Sequence, residues 1–321
     1  MSKIVITGGA GFIGSHIAER CARDGHEVVI IDNLDDYYSP ELKKKNIEYV
    51  LKSGNTSFVH GDVTDLDFLR TVIDKDVGYV FHEAAQAGVR ISVDNPFKPN
   101  NVNVLGTLNV LEASLEAEVE RVINASSSSV YGKVEYLPFD ESHPTQPVSP
   151  YGVSKLAAEH YCRVFYEIYG LPTVSLRYFT VYGPRMRPDL TISIFTEKML
   201  NNESITIFGD GNQTRDFTYI EDVVKANMKL LDTNKADGKG MNIGSGNRIS
   251  VNELATNLKE IIGSSSKLKY AEVQKGDAKH TLADVELAKE LVGYGPSVSI
   301  KEGLRRFVEW DKAWRGYGFD K

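Results

Sequence analysis

The chain has 321 residues, 41% hydrophobic and 25% charged, enough for one large domain or two modest ones with an ample core. A net charge of −7 and the lack of a dense Lys/Arg run argue against a nucleic-acid surface, and Lys43-Lys44-Lys45, the longest basic cluster, reads as a solvated helix face. No apolar run is long enough to span a membrane, no signal peptide is visible, Cys21 and Cys162 read as core thiols, and no His/Cys spacing suggests a metal, so a metal-free cytoplasmic protein is expected.

The chain opens on an apolar run, Lys3–Thr7, typical of a strand buried on both faces. Gly8, Gly11 and Gly14 follow in a Gly-x-x-Gly-x-x-Gly turn, and a helical pattern continues through Arg23. Strand, glycine turn and helix in that order form a dinucleotide site. The glycines let backbone approach a pyrophosphate, and the helix N-terminus supplies unpaired N–H groups. A second apolar run, Glu27–Asp32, ends in an acid about twenty residues on. A carboxylate there accepts from the ribose 2′-OH of NAD and would repel the extra phosphate of NADP.

Strand-like runs recur at Val28–Asp32, Ser57–His60, Val77–His82, Arg121–Ala125 and Thr173–Arg177, separated by helical stretches. This alternation predicts a parallel sheet wound on both sides, a Rossmann arrangement whose ligands bind beyond the carboxyl ends of the strands. Gly61-Asp62-Val63, His82-Glu83-Ala84-Ala85 and Ser126-Ser127-Ser128-Ser129 fall at such ends. After Gly183 the alternation breaks down, with mixed segments over 184–217 and 264–282. The expected fold is α/β: a doubly wound parallel Rossmann sheet over 1–183, with returning elements from about 216–245, and a smaller C-terminal α/β lobe drawn mainly from 184–321.

Between the last two runs of that sheet lies Ser149-Pro150-Tyr151-Gly152-Val153-Ser154-Lys155. Ser149 suits an N-cap and Pro150 the first helical position, so a helix should start there. It places the Tyr151 phenol and the Lys155 ammonium on one face, four residues apart. A nearby ammonium favours the phenolate and lowers its pKa, which reads as a tuned general base or acid. The helix over Tyr151–Tyr169 is apolar round nearly its whole circumference, so burial on more than one side is expected.

The glycine turn, Gly61–Val63, His82–Ala85, Asn103–Thr107, Ser126–Gly132, Tyr151–Lys155 and Arg177–Pro184 together resemble the extended short-chain dehydrogenase/reductase family, in its nucleotide-sugar epimerase branch. The resemblance runs nearly end to end. It implies NAD as cofactor, held by Gly8, Gly11, Phe12, Ile13, Gly14, Asp32, Asn33, Asp62, Val63, Ala84, Ala85, Asn103, Tyr151, Lys155 and Tyr178. It implies Tyr151 as proton acceptor, Ser127 as its hydroxyl partner and Lys155 on the nicotinamide ribose. The implied reaction inverts a sugar centre through a transient 4-keto intermediate with no net redox change. Related dehydratases carry an Asp-Glu pair where this chain has Ser128 and Ser129, and related decarboxylases a glutamate at 129, so epimerisation is the reading that needs no missing group.

The implied substrate is a UDP-sugar. The resemblance assigns Arg215, in Asp210–Asp216, to the diphosphate, with Arg90 as a second candidate, and the Ile205–Gly209 strand, with Thr206 and Phe208, to the uracil pocket. The segments Asp32–Tyr38, Gln86–Arg90, Phe179–Pro184, Arg187–Asp189 and Gln274–Asp277 look like UDP-glucuronate 4-epimerases. In that reading Ser127, Ser128, Thr180 and Arg187 meet the sugar carboxylate, and Leu190 and Asp277 complete the substrate site. Arg185 and Met186 depart from the uronate pattern of a bulky residue followed by glycine. The alternatives are a UDP-glucose/UDP-galactose 4-epimerase and a non-catalytic NAD-sensing protein, although such proteins usually lose the Tyr-Lys pair. Family members commonly dimerise through the Tyr151–Tyr169 helix and the one starting near Asn101, so a homodimer is expected.

Overall fold

The computed structural model describes residues 1–272 and 279–316. One seven-stranded sheet forms its centre: β1 (Lys3–Thr7), β2 (Glu27–Asp32), β3 (Thr56–His60), β4 (Val77–His82), β5 (Arg121–Ser127), β6 (Thr173–Tyr178) and β7 (Lys239–Ile243). Their spatial order is β7-β6-β5-β4-β1-β2-β3, and every neighbouring pair is parallel. The order reverses between β1 and β4, which opens a crevice at their carboxyl ends. The central strands are buried on both faces, which is why they read as unbroken apolar runs: Ile4, Val5 and Ile6 are fully buried and every residue of β5 is buried, whereas the edge strand β3 is partly exposed. β5 and β6 each run past the bounds expected from sequence, so Ser126 and Ser127 belong to the strand itself.

Beyond β6 the chain leaves the sheet through short strand pairs and the helices Thr191–Leu200 and Ile220–Lys229 before β7 returns to its edge. The helices Val251–Ile262 and Ile300–Trp314 follow. Ser250 and Glu253 form a reciprocal capping box that starts the first of them. The hydrophobic core is continuous from β1 to Leu304, Phe307 and Val308 in the last described helix.

The helix Pro150–Tyr169 begins where the sequence predicts. Pro150 occupies its first turn, and the Ser149 hydroxyl accepts from the Gly152 N–H at 3.1 Å. Its inner face buries Ala158, Cys162 and Phe165. Its outer face is not covered within the chain. Val153, Tyr161, Tyr166, Ile168 and Tyr169 are exposed, and so are Val93, Phe97 and Leu105 on the preceding segments. Among the described residues, the chain's own C-terminal segment leaves this face open.

Candidate active site

A cavity of about 340 Å³ occupies the crevice at the carboxyl ends of β1, β2, β4 and β5. Its first wall is the glycine turn. Gly8 has φ +66°, a left-handed conformation, and a Cβ on it would stand 2.5 Å from the Ala84 N. A Cβ on Gly14 would stand 2.5 Å from the Gly8 carbonyl. Strand, turn and helix Phe12–Arg23 therefore pack backbone to backbone. Gly11, the N-cap of that helix, has no side chain to occupy the first-turn N–H groups. Phe12, Ile13 and Gly14 line the cavity there, so the cradle suits a pyrophosphate.

Asp32 stands at the end of β2, accepting from the Ala10 N–H at 3.1 Å and the Leu34 N–H at 2.8 Å. Burial raises its carboxyl pKa, and those two bonds and the nearby Lys43 work against the rise. Asn33 donates to Asp62 at 2.7 Å. Against burial, hydrogen bonds from Thr64 and Asn33 hold the Asp62 carboxyl below the usual range. Asp32, Asn33, Asp62, Val63, Ala84 and Ala85 all line the cavity. Asp32→Ala is expected to narrow the preference for NAD over NADP, since it removes both an acceptor for the ribose and a charge that repels the 2′-phosphate. Titrating the purified apoenzyme with each dinucleotide measures this. Unchanged selectivity would remove Asp32 from that role.

Lys43 corrects the reading of 43–45 as a solvated face. It is buried, donates to the Asp35 carbonyl at 2.6 Å, stacks over the Tyr38 ring at 4.8 Å and lines the cavity. The signal was in the spacing, because Lys43, Asn46, Ile47 and Val50 are the buried stripe of the helix Pro40–Leu51.

At the far wall, Ser127 and Tyr151 line the cavity together with Lys155 and Tyr178, and the Ser127 hydroxyl donates to Ser129 Oγ at 3.1 Å. The long helix approaches Ser127–Ser129 closely because Gly152 has no side chain; a Cβ there would stand 2.5 Å from the Ser129 carbonyl. Lys155 is buried, with its Nζ donating to the Ala125 carbonyl at 2.7 Å. The phenol does not show the lowered pKa expected from its lysine neighbour. Burial raises it, and the opposing influences come from Ser127 and Arg187. Lys155 is itself lowered to about 8 by burial, with Glu83 opposing the fall.

Asn103, expected to touch the cofactor, lies outside the cavity walls and acts on the loop after β4. In a π-helical turn over Asn100–Leu105, its Oδ1 accepts from the Gln86 N–H at 2.7 Å, and its Nδ2 donates to Ser154 at 2.9 Å. Gln86, which the sequence reading left without a role, is the residue that lines the cavity.

Of the residues expected on the substrate side, Ser127, Thr180, Arg187 and Leu190 line the cavity. Arg187 pairs with Asp189 through Nε at 3.0 Å and Nη2 at 3.1 Å, and stacks over Tyr37 at 5.3 Å. Arg90, Ser128, Thr206, Phe208 and Arg215 do not line it. Arg90 stacks over the Phe208 ring at 5.5 Å. Arg215 donates to the carbonyls of Thr214 and Lys279 at 3.0 and 3.2 Å. Ser128 opens the 3-10 turn after β5, and Thr206 sits on the strand Ile205–Phe208. Asp277 falls outside the described residues. Arg185, the departure from the uronate pattern, is turned away to Ser15 and Glu19, and Met186 is in the core.

Behind Ser127 runs a buried polar network. Arg177 donates from Nε and Nη2 to Glu159 at 3.0 and 2.8 Å and from Nη1 to the Tyr131 hydroxyl at 3.0 Å. Ser126 also donates to Glu159. The network clamps β5, β6 and the long helix together directly beneath the Ser127–Tyr151 pair.

A Rossmann sheet with a pyrophosphate cradle on one side and a Ser-Tyr-Lys cluster on the other defines a nicotinamide-dependent enzyme. The chain belongs to the NAD dependent epimerase/dehydratase family, whose model matches residues 4–244. It is 42% identical over 313 residues to a putative UDP-glucose 4-epimerase of Methanocaldococcus jannaschii, covering 96% of this chain and 98% of that one. It is 39% identical over 316 residues to the UDP-glucuronate 4-epimerase of Thermodesulfobacterium geofontis, covering 97% of each. The crystal structure of the UDP-glucuronic acid 4-epimerase from Bacillus cereus, in complex with UDP-glucuronic acid and NAD, superposes with a TM-score of 0.93 at 37% identity over 97% of this chain and 99% of that one. This chain is accordingly an NAD-dependent isomerase of the nucleotide-sugar epimerase kind. Among the described residues, no cluster of His, Cys, Asp or Glu could hold a metal, and no helix is long and apolar enough to cross a membrane.

Proposed function

We propose that the chain interconverts UDP-glucuronate and UDP-galacturonate at C4. One observation carries the choice of sugar: the Arg187 guanidinium lines the same cavity as Ser127, Tyr151 and Thr180, close enough for its charge to act on the Tyr151 phenol. A uronate is the UDP-sugar that presents a carboxylate to such a group. NAD, when bound, supplies a reversible hydride acceptor. Tyr151 takes the proton from the sugar 4-hydroxyl and returns it, and Ser127, on the same cavity wall, hydrogen-bonds the same oxygen. Lys155 binds the nicotinamide ribose, and Asp32 the adenosine ribose. The smaller lobe, 184–321, completes the sugar-nucleotide site.

Incubation with UDP-glucuronate, UDP-glucose or UDP-N-acetylglucosamine, without added reductant, followed by separation of epimers, tests the reading directly. Arg187→Leu is expected to lower kcat/KM for UDP-glucuronate by about tenfold to a hundredfold, the equivalent of a lost charge-assisted hydrogen bond of about 1.5–3 kcal/mol. The value for UDP-glucose should fall less, because that substrate loses only the influence of Arg187 on Tyr151. A ratio of the two specificity constants that does not move would leave Arg187 without a role in recognition. A second reading, UDP-glucose/UDP-galactose 4-epimerization, is favoured by the 42% relative. A wild-type preference for UDP-glucose would establish it.

The open apolar face of the long helix supports a homodimer, with Val153, Tyr161 and Ile168 meeting a second copy. Tyr161→Asp with Ile168→Asp is expected to convert a dimer to a monomer in light scattering. A monomeric wild type would end that part of the proposal.

A further inference from the structure

The segment between β2 and the helix Pro40–Leu51 is a short strap whose conformation its own sequence sets. Side chains at 32, 33 and 35 each accept from the backbone N–H two residues on: Asp32 from Leu34 at 2.8 Å, Asn33 from Asp35 at 3.0 Å and Asp35 from Tyr37 at 3.0 Å. Lys98 pins the Asp35 carboxylate at 2.9 and 3.2 Å, and Lys43 pins the Asp35 carbonyl at 2.6 Å. Tyr37 holds the far end. Its hydroxyl donates to Asp189 Oδ2 at 2.9 Å, 152 residues away in the chain. That hydroxyl also packs on the loop after β4, where a Cβ on Gly88 would stand 2.8 Å from it. Asp189 is fixed in turn by the two Arg187 bonds at 3.0 and 3.1 Å. Asp32, Asn33, Asp35, Tyr37 and Tyr38 all line the cavity, so the strap walls it from the ribose acid to the arginine of the sugar end.

The next residue shows what the strap closes on. The Tyr38 hydroxyl is buried and, among the described residues, has no hydrogen-bond partner. It lies 4.0 Å from where a Cβ on Gly11 would stand, at the N-cap of the cradle helix. Buried hydroxyls are nearly always bonded, and an orphan donor beside a pyrophosphate cradle fits an anionic oxygen. We propose that Tyr37 is a positioning residue that retains the cofactor: its bond to Asp189 latches the strap to the segment 187–190, and NAD leaves the site only when that latch opens. Tyr37 holds the strap, and the strap holds the dinucleotide.

The chemistry permits such a latch. An epimerase regenerates its cofactor within each turnover, so NAD has no need to leave. A strap that stays shut between turnovers therefore costs the cycle nothing on the cofactor side. Both partners also keep the protonation states that the bond requires. Burial raises the Tyr37 phenol to about 12, so it remains a donor. Against burial, the bonds from Arg187 and Tyr37 hold the Asp189 carboxyl below its usual range, so it remains an ionised acceptor. A hydrogen bond to an ionised acceptor is stronger than one between neutral groups, although the Asp189 side chain is 39% exposed and water weakens it. The effect falls on the rate of escape, which requires the bond to open, more than on the fold.

This inference rests on NAD as the cofactor and not on the choice of sugar or base, because its test contains no sugar. Holoenzyme loaded with isotopically labelled NAD is chased with excess unlabelled NAD, and the bound label is followed by rapid filtration. Tyr37→Phe keeps the ring over Arg187 and removes one hydroxyl. It is expected to release NAD about five- to tenfold faster than wild type, the range of one charge-assisted hydrogen bond partly screened by water. Tyr136→Phe is the matched control: the Tyr136 hydroxyl also donates to an aspartate, Asp140, at 2.9 Å, but outside the cavity walls. Its release rate should stay within about twofold of wild type. A bond with a merely structural role would lower the melting midpoint of the NAD-free protein and leave NAD release unmoved. A Tyr37→Phe rate within about twofold of wild type would therefore overturn the proposal. An equal acceleration in Tyr136→Phe would overturn it too, since any lost surface bond would then speed release. So would a wild type that exchanges all its label within the mixing time. A wrong choice of sugar shows differently, as wild-type inactivity on that sugar with NAD release unaffected.

Discussion

Tyr151→Phe is expected to lower turnover by about 10²–10⁴-fold, the usual contribution of a positioned acid-base group. Only the hydroxyl is lost. The ring remains on a helix whose start is set by Ser149, Pro150 and Gly152, and those contacts do not involve the phenol oxygen. Thermal midpoint and bound NAD should therefore stay close to wild type, and the fall should appear in kcat. Burial pushes the phenol pKa up, with Ser127 and Arg187 pulling it down. The fraction of phenolate is consequently the quantity the site has to create, and Ser127→Ala should raise the acid limb of the pH profile. A Phe variant that keeps more than a tenth of the wild-type rate would show that another group carries the proton.

The second large effect is on stability. Glu159→Ala is expected to destabilise the fold by about 3–5 kcal/mol, because it leaves the Arg177 guanidinium buried without its carboxylate. At about 2–4 °C per kcal/mol that is on the order of 10 °C in the melting midpoint. The loss comes from an orphaned charge rather than from the worth of the pair. Replacing both partners, Glu159→Met with Arg177→Met, should recover much of it. Calorimetry on the two variants separates these contributions. A single variant that melts within 2 °C of wild type, by the same conversion, would mean that water or another group satisfies Arg177.

Much of this was legible in the sequence, for physical reasons that can be named. The central parallel strands are buried on both faces, so they stand out as apolar runs, and their ends are good to one or two residues. The glycine turn was legible because Gly8 and Gly14 are required where backbone meets backbone. The start of the long helix was legible because Ser149 and Pro150 are local signals. What escaped depends on partners far away in the chain. Lys43 looked like one of three surface lysines until the helix register turned it inward. The bonds of Asn103 to Gln86 and Ser154 join positions 17 and 51 residues apart, which no local pattern shows. Glu83 carries no role in its local motif, since nothing nearby in sequence reveals its hydrogen bond from Tyr178 on β6. The upward shift of the Tyr151 phenol is hidden from sequence for the same reason: spacing places an ammonium nearby but says nothing of burial.

The position of β7 at the sheet edge carries a consequence for how the protein is made. β6 is complete at Tyr178, yet the strand that covers its outer edge ends at Ile243, after the chain has gone out through two further helices. At about 5–20 residues per second, a ribosome takes roughly 3–13 s to make that stretch. Throughout that interval the nascent sheet presents β6 as a bare rim of N–H and C=O groups, the kind of surface that recruits foreign strands. The order of synthesis thus leaves the long β6 edge open just after the nucleotide-binding half is finished, and Lys239–Ile243 is the segment that pairs with it and becomes the sheet's final edge.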